Sequence, residues 1–345
     1  MLKLKIALCV LVVGVIASYT YYKSHANRYE NLAYTPKLEA GIINFVSRLI
    51  NDDTPNKTPK GEIPVNELTT KDILNLLDDQ DSVIRLGHSS LLIKVNGDIW
   101  LIDPMFSDRA SPVSFYGPQR FSKNPISVAQ LPDIKGVIVT HDHYDHLDKE
   151  SIDNLSEKTE HFVVPEGVDN HLTLWGVGSD KIHSLNWWQS VSINGVTITS
   201  TPAQHFSGRS LLDKDATLWS SYVIQSPNSD IYYSGDTGYF EGFKEIGRKF
   251  GPFDLTILEN GAFDSAWPNV HMFPAEAIQA YEDLGGQADL LPVHNATFSL
   301  AFHSWDEPLK QISKLASDSN IPLATPIIGE TLIVGKPSKT FDWWN

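Results

Sequence analysis

The chain is predicted to fold as a layered α/β body, with β-sheets inside and helices outside. Two observations carry this prediction. Short runs of β-branched and apolar residues recur from Ser82 onward, separated by turn signals and interspersed with helical stretches. Several of these runs end in histidine or aspartate, and strand ends can converge on one edge of a sheet or sandwich. No internal repeat at a fixed period competes with this reading.

Taken in order, Ile6 to Ala17 is uninterrupted by charge, Ser18 to Tyr22 extends it, and Lys3 and Lys5 precede it. That pattern marks residues 1–26 as a signal anchor or signal peptide. The anchor is favoured, because Lys23 and the tyrosines make Ser24-His25-Ala26 a poor cleavage region. Either way the body is expected on the extracytoplasmic side of a membrane, which in a bacterium is the periplasm. Residues 27–81 read as a helical adaptor and linker. Lys37 to Ile50 has amphipathic helical spacing, Asn51 to Pro64 is a polar, proline-containing linker, and Thr69 or Thr70 caps a short helix through Leu77.

Residues 82–345 form the main domain. Ser90 to Val95 and Asp98 to Ile102 flank Asn96-Gly97 and predict a hairpin. Gly136 to Thr140, Val196 to Pro202, Ile231 to Ser234, Phe253 to Leu258 and Leu290 to Val293 predict buried strands. Pro274 to Leu284 predicts a helix, with proline in its first turn and Gly285-Gly286 beyond its end.

Composition narrows the function. The 345 residues suit one large domain plus appendages, and a 41% apolar fraction supports a sizeable core. With 27 Lys plus Arg against 42 Asp plus Glu, the net charge is −15, which disfavours a nucleic-acid partner. The single cysteine, Cys9, lies in the N-terminal apolar run, so a metal in the body is held by His and carboxylate.

The chemistry concentrates in Thr140-His141-Asp142-His143-Tyr144-Asp145-His146, which follows the strand ending at Thr140. Such a run arises by chance in roughly one chain in a thousand, so coincidence is set aside. Imidazoles and carboxylates in this density suit borderline metals, above all zinc. His141 and His143 are two apart and point the same way in extended backbone, while Asp145 and His146 follow after a turn and can serve a second ion. His205, Asp236 and His294 repeat the grammar, each just beyond a strand.

With those residues in view, the chain resembles the metallo-β-lactamase fold superfamily. Gly87-His88-Ser89-Ser90, Asp103 to Pro112, Pro202-Ala203-Gln204-His205 and Gly235-Asp236-Thr237-Gly238-Tyr239 narrow the likeness further. They resemble the N-acylphosphatidylethanolamine-hydrolysing phospholipase D family and its bacterial relatives, over about residues 83–335. The resemblance implies a four-layer αββα fold and two zinc ions, with other divalent metals able to substitute. It assigns His141, His143 and His205 to one ion, Asp145, His146 and His294 to the other, and Asp236 to both. Two zincs, two carboxylates and one hydroxide leave about +1, which suits an anionic phosphodiester. It also implies metal-hydroxide attack on phosphorus, a membrane phospholipid substrate, and phosphatidic acid and an N-acylethanolamine as products. Asp145 and His271 become the catalytic candidates, His271 in a substrate or acid role. His88 and Asp103 are expected to orient ligands or support the site.

The chain departs from the family at Val270, at Asn295-Ala296-Thr297-Phe298 and at Glu259-Asn260-Gly261, all around the pocket. The competing readings are another hydrolase on the same centre (a lactonase, an amidase or a different phosphodiesterase) and a non-catalytic envelope protein. All seven ligand positions are filled, which weighs against the last. His161, His171, His183 and His303 belong to no motif and are expected to be structural or at the surface.

Overall fold

The computed structural model describes residues 28–34, 48, 51–210, 212–338 and 341–345. The anchor segment lies outside the described residues, as does the 37–50 helix apart from Arg48. Among the described residues no helix is long and apolar enough to cross a membrane. The first helix described in full, α1 (Thr70–Leu74), is capped by Thr69, whose side chain accepts from the Asp72 amide while Asp72 reaches back. It stops short of Leu77, which is exposed together with Leu74, so continuing the helix would bury neither.

Strands β1 (Ser82–Gly87), β2 (Ser90–Val95) and β3 (Asp98–Ile102) form an antiparallel meander. The β2–β3 turn is the predicted Asn96-Gly97, with φ of 50° and 81°. Strands β4 (Ile134–Ile138), β5 (Thr159–Pro165) and β6 (Ile182–Leu185) continue the sheet in parallel from β3. The second sheet holds β7 (Ser190–Ile193), β8 (Val196–Thr201), β9 (Ser221–Gln225), β10 (Asp230–Tyr233), β11 (Leu255–Glu259) and β12 (Asp289–Val293), side by side in that order. A last strand, β13 (Thr331–Ile333), pairs with β1 at the edge of the first sheet.

Three apolar layers hold the sheets and helices together. Leu91, Ile93, Trp100, Ile102 and Ile138 of the first sheet meet Ile198, Tyr222, Ile224, Tyr233, Ile257 and Val293 of the second. Outside the first sheet, Leu92, Leu101 and Val137 pack under Ile73 of α1, Ile152 and Leu155 of α2 (Lys149–Leu155), and Leu172 of α3 (Asp169–Leu174). Outside the second, Tyr232, Leu258 and Leu290 pack under α4 (Gly242–Phe250), α5 (Pro274–Asp283) and α6 (Glu307–Asp318). The order is therefore αββα. Leu91-Leu92-Ile93 shows why both sheet faces are apolar: successive side chains enter opposite layers, and each layer is buried.

One close approach fixes the spacing of β3 and β4. Trp100 is fully buried opposite Gly136, where an added Cβ would lie 2.2 Å from the indole. Gly136→Ala is expected to destabilise the fold by about 1–3 kcal/mol through overpacking. Thermal unfolding reads this directly, and an unchanged midpoint would contradict it.

Candidate metal centre

Strand direction gathers the polar residues. β10, β11 and β12 run parallel, and β8 shares their direction because β9 is antiparallel to both β8 and β10. Residues just past their C-terminal ends, His205, Asp236 and His294, therefore reach one edge of the sandwich, and Glu259 closes β11 there. In the first sheet β3 and β4 are parallel, which brings Asp103 and then His141 to their ends.

His141, His143, His205 and Asp236 form one cluster, with one potential ligand atom from each lying within 4.8 Å of the others. His143 Nδ1 is 2.8 Å from His141 Nε2 and 3.2 Å from His205 Nε2. His205 donates Nδ1–H to Val270 O, 3.0 Å away, leaving Nε2 facing the cluster. Asp145, His146, His294 and His88 form a second cluster of the same tightness. Asp236 serves both: its Oδ2 lies 3.1 Å from His146 Nε2 and His294 Nε2, and 3.8 Å from His141 Nε2 and His205 Nε2.

Asp103 bears on the second cluster from behind, and His88 stands within it beside Asp145. Asp103 Oδ2 is 2.8 Å from His146 Nδ1 and also accepts from the Thr140 and Tyr233 hydroxyls, while Oδ1 accepts from the Thr140 amide. This turns His146 Nε2 toward Asp236. Burial pushes His88 down to about 3, so its imidazole is neutral, with Nε2 at 2.9 Å from Asp145 Oδ2. His88, Asp103 and His294 hold φ of 53°, 43° and 62°, so three residues of one site share a left-handed backbone that side chains disfavour. The His294 turn also needs Gly261, where a Cβ would meet the His294 carbonyl oxygen at 1.9 Å.

The electrostatics differ between the two halves. Burial, together with neighbouring imidazoles, holds His141 and His205 well below the usual histidine range, and burial also lowers His143. These are neutral rings, the form that ligates metal. Burial also opposes protonation of His146 and His294, but Asp236 and Asp145 outweigh it. They push His294 up to about 10 and His146 well above its usual value. Burial likewise opposes ionisation of Asp145 and Asp236, yet the facing histidines hold both well below the carboxylate range. His146 Nε2, His294 Nε2 and Asp236 Oδ1 are buried without a satisfying hydrogen bond. Buried polar atoms in that condition are costly unless a cation joins them; with metal ions in place of the protons on His146 and His294, the donor set fits a pair of divalent metals.

The beta-lactamase superfamily domain model matches residues 100–295, more than half of the chain. The chain belongs to the metallo-β-lactamase superfamily. Within it, the chain is 42% identical to an uncharacterized Mycobacterium tuberculosis protein over 75% of this chain and 70% of that one. It is 34% identical to N-acyl-phosphatidylethanolamine-hydrolyzing phospholipase D 1 of Caenorhabditis elegans, over 70% of this chain and 72% of that one. A solved structure of a possible metal-dependent hydrolase from Veillonella parvula shares the fold, with a TM-score of 0.60 at 20% identity, covering 74% of this chain and all of that one. The superfamily match, the relatives named as hydrolases and this chain's donor clusters make it a metal-dependent hydrolase.

The metallo-β-lactamase frame also gives a place to Glu259, which the sequence shows only as a departure from the family pattern, and to Arg209, which it does not single out. Glu259 is fully buried and its carboxyl is raised by that burial, with Oε1 accepting from the Met272 amide and Oε2 3.4 Å from His271 Nδ1. His271 itself faces the edge of both clusters, its ring 5.2 Å from that of His205 and 5.0 Å from that of His294. Arg209 clamps the motif loop, donating to the Asp142 and Leu147 carbonyls and lying 4.0 Å over the Tyr144 ring. Of the histidines outside the motif, His161 and His183 meet each other at 3.2 Å, His171 lies 3.4 Å from Asp142, and His303 stacks on Phe263.

Proposed function

We propose that the protein is a phosphodiesterase of the N-acylphosphatidylethanolamine phospholipase D type. It would hydrolyse the phospholipid to phosphatidic acid and an N-acylethanolamine. The observation that carries this reading is the pair of clusters sharing Asp236, with His271 at their edge, in a chain 34% identical to a named phospholipase of that kind.

His141, His143 and His205 would hold one divalent metal, taken as zinc, and Asp145, His146 and His294 the other, with Asp236 reaching both. Bound there, the pair supplies a nucleophile from water near neutral pH and Lewis acidity for the phosphoryl oxygens. The chain's own residues divide the remaining work. Asp145, ionised at neutral pH, accepts from His88 Nε2, which keeps its carboxylate turned toward His146 and His294. His271 stands where it can meet the phosphate and deliver a proton to the leaving oxygen as the phosphorus–oxygen bond to ethanolamine breaks. Glu259 behind it sets the ring's orientation.

A lipid substrate accords with exposed aromatic side chains beside the motif loop. A groove of about 810 Å³ there has aromatic lining from Phe106, Tyr144 and Trp175, but Asp108, Asp148, Glu150 and Asp153 line it too, so the groove itself is not read as the acyl channel. Phe115 and Tyr116, next to its lining, are 82% and 77% exposed. On this reading the N-terminal apolar run tethers the body to its substrate membrane on the extracytoplasmic side. The test is to incubate the zinc-loaded full chain with N-acylphosphatidylethanolamine, phosphatidylcholine, lactones and amides, and to identify products by mass spectrometry. N-acylethanolamine and phosphatidic acid are expected. Their absence with two metal equivalents bound would sink the assignment.

A further inference from the structure

Residues 28–34 have no regular secondary structure, yet they lie across the loop that carries His205. The Tyr29 amide donates to Asp215 O at 2.9 Å, and the Tyr34 hydroxyl donates to Tyr239 O at 3.1 Å. Between them, Asn31 makes the contact that matters. Its Nδ2 donates to His205 O at 2.7 Å, and its Oδ1 accepts from His205 N at 3.0 Å. One planar amide thus binds both backbone polar groups of a single residue, as a neighbouring strand would.

The amide's own orientation is fixed. Trp219, buried beneath it, donates Nε1 to the same Asn31 Oδ1 at 3.0 Å and to Ala203 O at 3.0 Å. A flipped amide would set an NH₂ group against two donors. His205 is several residues beyond the end of β8, so no strand pairing of its own fixes its peptide planes. Besides its contacts within the cluster, the side chain is held at Nδ1, which donates to Val270 O.

We infer that Asn31 is a positioning residue for the metal centre: it locks the His205 backbone so that Nε2 stays aimed at His141, His143 and Asp236. This rests on His205 being a metal ligand. It makes the segment next to the N-terminal apolar run part of the hydrolytic apparatus rather than a passive linker. Supports of this kind are worth about 10–100-fold in metal affinity.

The experiment uses the full chain as wild type, Asn31→Ala, Asn31→Asp and Tyr34→Phe. Each is titrated with zinc against a chromophoric chelator and, separately, with cobalt(II) for its visible absorption. Asn31→Ala is expected to bind one of its two zinc equivalents at least tenfold more weakly and to change the cobalt band of that site. Asn31→Asp keeps the side chain's volume but loses the bond to His205 O, so it is expected to shift both readouts the same way, including where the alanine variant does not fold. Tyr34→Phe removes a contact of the same strap without touching His205, and wild-type affinity is expected.

Wild-type zinc affinity and cobalt spectrum in both Asn31 variants would overturn the inference. So would an equal loss in Tyr34→Phe, which would make the strap general packing. Failure of the wild type to bind two equivalents would instead sink the metal centre on which the inference stands.

Discussion

Asp236→Asn is expected to lower turnover by roughly a thousandfold or more, about 4 kcal/mol of barrier, while the fold persists. Asp236 is the carboxylate that faces both clusters, with Oδ2 at 3.1 Å from two imidazole nitrogens and 3.8 Å from two others. Asparagine keeps the side chain's volume and one oxygen but removes the negative charge from a buried site. Two effects then act together. On the proposed function, two divalent cations held at that corner would lose the anion that screens them from each other, and His146 and His294 lose the carboxylate that shapes their charge. Metal analysis, circular dichroism and steady-state rates check this in parallel. The expected result is native ellipticity with fewer than two bound equivalents and a collapsed kcat. A variant with two tightly bound ions and an undiminished kcat would remove Asp236 from the centre.

The legible part of this site was the part written in strand ends. β4, β8, β10 and β12 each deliver a ligand candidate within a few residues of their last paired residue, and that grammar reads directly from alternating composition and position. The Asn96-Gly97 hairpin was legible for the same reason: its turn chemistry is local. The same grammar reaches Asp103, one residue past β3, and Glu259, at the end of β11. Glu259 was seen as a departure from the family pattern rather than as a residue aimed at His271.

Other features left no local trace. β9 has its side chains buried on both faces, so Ser221-Tyr222-Val223-Ile224 shows no clean alternation. The left-handed backbone at His88, Asp103 and His294 is imposed by tertiary packing, such as the approach of Gly261. Asn31 acts across 174 positions of sequence through one amide, and a long-range side-chain to backbone bond has no periodicity to betray it.

His271→Gln is expected to lower kcat on N-acylphosphatidylethanolamine by about 10²–10⁴, with far less effect on a phosphodiester whose leaving group needs no proton. The ethanolamide oxygen departs as a strongly basic alkoxide unless protonated, whereas p-nitrophenolate leaves unaided. Bis(p-nitrophenyl) phosphate therefore separates a proton donor from a residue that only binds phosphate. His271 sits 3.4 Å through Nδ1 from Glu259 Oε2, and its ring packs within 5.2 Å of the His205 ring on the other side. Nδ1 thereby faces the buried carboxyl, and the proposed function leaves Nε2 to serve the substrate. Glu259→Gln keeps the size of the group and its contact with Met272, but weakens the hold on the ring. A smaller loss with the same leaving-group dependence is expected. Both variants retain the seven ligand candidates, so both should bind two metal equivalents, which separates them from Asp236→Asn. An equal loss on both substrates in His271→Gln would assign the residue to phosphate binding alone. The proton would then have to reach the leaving oxygen from another group at the edge where β8, β10 and β12 end.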